Sequence, residues 1–225
     1  MRGAAERHRG RLSILTRLQL GLEALYRVDT RLDVEAFVID ERQRQESGVA
    51  RAPREQLLVS ESGDELSMAL FVDAKAIETL ERHDPASGLH GENFADFCIA
   101  LEGVSHFVYL ALCAAGERRV SALELELQAE VDKYLLVLLG TWREGGAPPS
   151  DLRERLFRRV RFHDDLAPDE RERYETANSA ACEYAASLEE RFVRRRAVDE
   201  MLGEMRRFYR MDCATKLDHI ARKAA

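Results

Sequence analysis

Apolar residues recur at helical spacing along most of this chain and at strand spacing over one short stretch. Leu15, Leu18, Leu22, Leu25 and Tyr26 share one helical face, which predicts a first helix over residues 11–27. Residues 33–40 (DVEAFVID) are short, β-branched and aromatic, and read as a strand. Residues 41–54 are polar, contain Gly48 and Pro53, and read as a loop. Residues 56–60 and 65–72 flank a glycine-containing turn and read as a hairpin; Leu66, Met68, Leu70 and Val72 alternate with Ser67, Ala69 and Phe71.

Beyond Asp73, which is placed to cap a short helix through Arg82, the pattern is helical. One long helix is expected over 92–115. A second begins at a Ser121–Glu124 capping box and stops at Gly140. Leu123, Leu125 and Leu127 alternate with Glu124, Glu126 and Gln128 as a strand would, but the capping box and the VDKYLLVLL that follows favour helix. Residues 145–150 (GGAPPS) read as a linker, with Ser150 or Asp151 capping a helix through Arg161. The last helical region, 169–223, should break near Arg194–Arg196, because three adjacent charges cannot all face a core.

The expected fold is α+β and predominantly α-helical, with a small antiparallel sheet of about three strands packed on a helical bundle. Residues 1–145 would form the core, carrying the N-terminal helix, the sheet and a central helix hairpin. Residues 146–225 would form a C-terminal helical region packed on that core or on a second subunit.

Charge sharpens this reading. The 225 residues carry a formal net charge of −7, which makes nucleic acid an unlikely partner. The acidity is concentrated in the middle: residues 61–150 hold 6 basic and 16 acidic groups, whereas both ends are close to balanced. Four of the basic residues are lysine and the rest arginine. The four cysteines show neither Cys-x-x-Cys nor zinc-finger spacing, which suggests a reduced cytoplasmic chain. The arginine-rich start lacks the uninterrupted apolar stretch of a signal peptide. No uninterrupted apolar run reaches the ~20 residues that span a bilayer, so no membrane is expected.

The central hairpin carries the strongest candidate chemistry. Glu102, His106 and Tyr109 lie at i, i+4 and i+7, and Glu126, Glu130 and Lys133 repeat that spacing on the next helix. Carboxylates and an imidazole are costly to bury unless paired or bound to a metal. Glu102, His106, Glu126 and Glu130 are therefore a candidate divalent-metal set, or an acid–base pair of His106 oriented by Glu102. The competing reading is a self-satisfied His–Glu pair at a helix interface. Were residues 124–128 a strand, Glu124 and Glu126 would share one side and could hold a metal ion for phosphate chemistry.

Other signals are weaker. His163-Asp164-Asp165 reads as a polar loop with ligand-type residues, and His83 and His90 read as surface groups beside a Pro/Gly loop. The arginines of 153–161 and 191–196 lie in a C-terminal segment whose acidic and basic groups nearly balance, and read as solvated helix faces. Arg206, Arg207, Phe208, Tyr209 and Arg210 form a mixed aromatic–arginine patch, a candidate protein interface. There is no Walker A loop, Gly-x-Gly-x-x-Gly, Gly-x-Ser-x-Gly or His-Glu-x-x-His.

The expected function is that of a cytosolic bacterial binding or adaptor protein, acting through helical surfaces without catalysis, with a protein partner and a capacity to form a homodimer. The alternative is a metal-dependent or acid–base enzyme built on the Glu/His cluster. A third expectation is a small-molecule sensor with a pocket between sheet and bundle.

Overall fold

The computed structural model describes residues 12–48, 53–63, 65–143, 151–160 and 165–224. The expected linker at 145–150, and His163 and Asp164, lie outside the described residues.

Helix α1 spans Ile14–Tyr26 and starts at Ser13, whose hydroxyl accepts the Thr16 amide. The chain that follows is held by Gln19, a buried side chain of α1. Its amide donates to Leu32 O at 2.6 Å, and its oxygen accepts the Val34 amide at 2.9 Å. That clamp, with Asp33 capping Glu35, winds Val34–Phe37 into a 3₁₀ turn. The strand expected over 33–40 therefore shrinks to β1, Val38–Ile39. The expected loop after it begins as helix α2, Glu41–Glu46, closed by an Asp40–Gln43 capping box.

The hairpin forms as expected from β2 (Glu55–Ser62) and β3 (Glu65–Val72), with Gly63 at φ 62° in the turn, where a left-handed backbone favours glycine. The sheet order is β1-β3-β2. It is mixed rather than antiparallel, because Val38 and Ile39 run parallel to Leu70 and Phe71. The chain enters β1 and must pass through α2 and the whole of β2 before reaching β3, which is the crossover that a parallel neighbour needs. Leu70 and Val72 are buried as the alternation predicts. Phe71, on the other face, is covered by the Arg44 guanidinium, 5.3 Å from its ring centre.

Helix α3 (Ala74–Arg82) begins at Asp73, which accepts the Lys75 amide. Helices α4 (Phe94–Ala115) and α5 (Ala122–Arg143) form the central hairpin. Half of the expected box is present: Ser121 Oγ accepts the Glu124 amide at 3.2 Å, but the Glu124 carboxylate turns inward to other partners. Gly140 does not stop α5, which runs on to Arg143. Among the described residues, helix α4 alone is long and apolar enough to cross a membrane, yet 72% of its apolar window is buried inside the fold. It packs on α1, α3, α5 and the sheet.

After a π turn at Glu154–Arg158 come α6 (Pro168–Leu188), a second π turn, α7 (Val198–Tyr209) and α8 (Cys213–Ala224). The break expected at Arg194–Arg196 is there, with Arg196 left-handed at φ 53°. A second break at Arg210–Asp212 separates α7 from α8. Helix α6 lies along α5 and α8, and α7 packs on α1. One apolar cluster runs through both halves of the chain, from Ile14 to Ile220.

Gly103 sets how closely the sheet approaches α4. A Cβ there would sit 3.0 Å from Leu70 Cδ1 and 3.1 Å from Glu55 Oε2. Gly103→Val should push β2 and β3 off α4 and destabilise the protein by about 1–3 kcal/mol, the usual cost of overpacking. Urea unfolding read by circular dichroism measures it; wild-type stability in Gly103→Val would disprove the close contact.

Candidate functional site

The α4–α5 hairpin brings the candidate groups together in pairs. Lys133 Nζ donates to Glu102 Oε2 at 3.0 Å and to Glu130 Oε1 at 2.7 Å. The His106 ring lies between two carboxylates, with Nδ1 3.8 Å from Glu55 Oε2 and Nε2 3.5 Å from Glu126 Oε2. These are ion-pair distances, too long for good hydrogen bonds. His106 is 6% exposed. Glu55 Oε2, His106 Nε2 and Glu130 Oε2 are all buried without a hydrogen-bond partner.

This environment shifts protons. Burial pulls the His106 pKa down, but Glu126, Glu55 and Glu102 outweigh it and hold the imidazole at about 9. Burial pushes Glu55 up to about 8, against the pull of His106. Burial also raises Glu130. Glu102 moves the other way, because Lys133 and His106 overcome its burial. Lys133 loses charge stability to burial but regains more from Glu102 and Glu130. Tyr174 of α6 feels the same cluster: burial, then Glu126 and Glu102, raise its hydroxyl to about 12.

No three of the four expected metal ligands bring a ligand atom each within 4.8 Å of one another. Among the described residues, the group that does so is His83, His90 and Glu92, whose ligand atoms lie within 4.8 Å of one another. An ammonium, that of Lys133, stands between Glu102 and Glu130. Glu55 was not legible as a member, because it sits on a strand 47 residues before Glu102 and no local spacing links them.

Tyr109 belongs to a different network. Its hydroxyl donates to Glu124 at 2.6 Å and accepts from Arg118 and from Lys216, the latter at 2.7 Å. Lys216 of α8 is fully buried and also donates to Gln128 Oε1 at 2.7 Å. Its ammonium lies 4.2 Å from the centre of the Tyr109 ring. Burial lowers Lys216 to about 7 in spite of Glu124 and Asp132. Burial raises Asp132 to about 6, against hydrogen bonds from Ser105, Tyr26 and Gln128. The helical spacing of Glu124, Gln128 and Asp132 is the one signal that could have exposed this network.

The aromatic–arginine patch is drawn into the fold. Phe208 and Tyr209 are buried, with Tyr209 stacked on Tyr26. Arg206 donates to Leu25 O at 2.9 Å and Arg210 to Tyr26 O at 3.2 Å, satisfying carbonyls at the end of α1. Of the five, Arg207 and Arg210 remain exposed, Arg207 beside Glu204.

An apolar cleft of about 600 Å³ opens at the rim of the sheet. Val38, Ile39, Pro53, Phe71, Val72 and Ile77 line it. Arg54, at its edge, is held by Asp73 at 2.9 Å and Asp96 at 2.8 Å. No protein-family model, curated protein or solved structure matches this chain.

Glu55 binds its proton more tightly in the folded chain than in the unfolded one, so its contribution to stability is fully present below about pH 4.5 and fades as pH rises to about 8. Glu55→Gln lacks that titration. Its stability relative to wild type should rise by about 1 kcal/mol or more between pH 5 and 8. Paired denaturant titrations across that range test this, and a constant difference would refute it.

Proposed function

We propose that this protein works by binding a protein partner, and that the partner inserts apolar side chains into the cleft at the sheet rim. The observation that carries this reading is the contrast between the two regions. Charged groups of the hairpin pair largely with one another inside the fold, through Lys133 and His106. The cleft instead presents apolar surface from β1, β3 and α3, and its polar neighbours are already engaged: Asp40 caps α2, Glu41 holds Arg44, and Asp73 holds Arg54. It is partly open to solvent, so side chains from another chain can enter it. On this reading the Glu/His/Lys cluster seats β2 on the helices.

The test is affinity capture from source-cell extract with wild type, Ile39→Asp, Ile77→Asp and His106→Ala, each checked for folding by circular dichroism. His106→Ala should melt at a lower temperature yet retain the wild-type partner, while both cleft variants lose it. Capture that survives both folded cleft variants, or fails in folded His106→Ala, would sink the proposal.

A second reading, a metal-dependent or acid–base enzyme at the hairpin, is favoured by one observation. Glu55 Oε2, His106 Nε2 and Glu130 Oε2 are orphaned in the same cluster, and natural folds rarely leave such atoms without a function or a bound species. It requires stoichiometric iron, manganese or zinc by elemental analysis that is lost in His106→Ala, or a turnover that this variant abolishes.

A further inference from the structure

We propose that His83, His90 and Glu92 form a binding site for a zinc-class divalent ion in the loop between α3 and α4. The sequence separates the three by six residues and by one, in a stretch interrupted by Pro85, Gly88 and Gly91. The fold gathers them. Glu92 Oε2 lies 3.6 Å from His83 Nδ1 and 3.9 Å from His90 Nδ1. The two rings meet edge to face, with centroids 5.8 Å apart. One ligand atom from each residue falls within 4.8 Å of the other two.

The backbone carrying these ligands is held from beneath by Asn93. That side chain is fully buried. Its amide donates to His83 O and to Gly88 O, each at 3.0 Å, and its oxygen accepts the His90 amide at 2.9 Å. Both histidines are thus fastened to one residue, and the positions of their Cα atoms are set before any ion arrives. Gly88, at φ 119°, takes a backbone conformation that other residues rarely adopt. Asp84, which follows His83, is held by two hydrogen bonds from Arg17.

The donor set selects the ion. Two imidazoles and one carboxylate are the ligands of open, three-residue zinc sites, with water completing the shell. Magnesium and calcium favour oxygen-rich shells and gain little from imidazole. Ligand atoms about 2.0–2.2 Å from zinc stand closer together than they do here. The His90 and Glu92 side chains are half or more exposed, so they can rotate inward without disturbing the core. A bound ion would tie the end of α3 to the start of α4. The site shares no ligand with the hairpin cluster or the cleft, so it stands or falls independently of the proposed function.

Zinc alone is the probe, added to the full-length reduced protein and competed against a chromophoric chelator. Cobalt(II) absorption serves as the second readout. Wild type and Glu78→Ala, an exposed carboxylate of α3, should bind one ion with a dissociation constant below about 100 µM. His83→Ala and His90→Ala should each weaken binding at least tenfold, and cobalt should give d–d bands without thiolate charge transfer. No saturable binding, a loss of less than tenfold in either histidine variant, or thiolate bands assigning the ion to cysteine would each overturn the site.

Discussion

The α4–α5 hairpin can be buried only if its own charges are neutralised at close range. Between Glu102 and Lys133 it carries five carboxylates, one imidazole and one ammonium that face protein rather than bulk water. Each would cost several kcal/mol if enclosed without a partner. Much of the tertiary arrangement follows from where the partners come from. Tyr26 of α1 and Ser105 of α4 hydrogen-bond Asp132; Arg118 and Lys216 meet Glu124 and Tyr109; Glu55 of β2 approaches His106. Elements far apart in the chain are thereby tied to the same two helices.

The two sides of the hairpin solve the problem differently. Towards α1 and α8, short hydrogen bonds join Asp132, Gln128, Lys216, Tyr109, Glu124 and Arg118 into one connected network. Such a network favours a single arrangement of side chains, because any displaced member leaves another unpaired. Towards the sheet the pairing is looser. His106 sits at ion-pair distance from both of its carboxylates, and three buried atoms lack partners. Gly103 is part of the reason, since it lets Leu70 and Glu55 come close to the α4 backbone. The sheet side therefore stores its protons in groups displaced far from their ordinary titration range, Glu55 upward and His106 upward.

Two of the four lysines, Lys133 and Lys216, are buried at the centres of these two networks. In a chain so rich in arginine, that placement has a physical rationale. An ammonium is compact and can donate in several directions within a small volume, whereas a guanidinium demands a planar, wider slot. Lys133 reaches two carboxylates and Lys216 reaches a phenol and an amide from positions with little spare room.

Local pattern alone determined most of the helices, the β2–β3 hairpin, the caps at Asp73 and Ser121, and the break at Arg194–Arg196, because each depends on neighbours within one or two turns. It also placed Glu102 with His106 and Glu126 with Glu130, since i, i+4 spacing is a property of one helix. What only the tertiary structure decided involves long-range partners. Gln19 turns the expected strand at 33–37 into a 3₁₀ turn and leaves β1 two residues long, parallel to β3. Glu55 joins His106 across separate elements, and the Phe208–Tyr209 patch becomes core because α1 lies against it. Asn93 draws His83 and His90 into one cluster, although both read as isolated surface groups. Hydrophobic periodicity reports which face of an element is buried, but not against what, and the chemistry of this protein lies in those pairings.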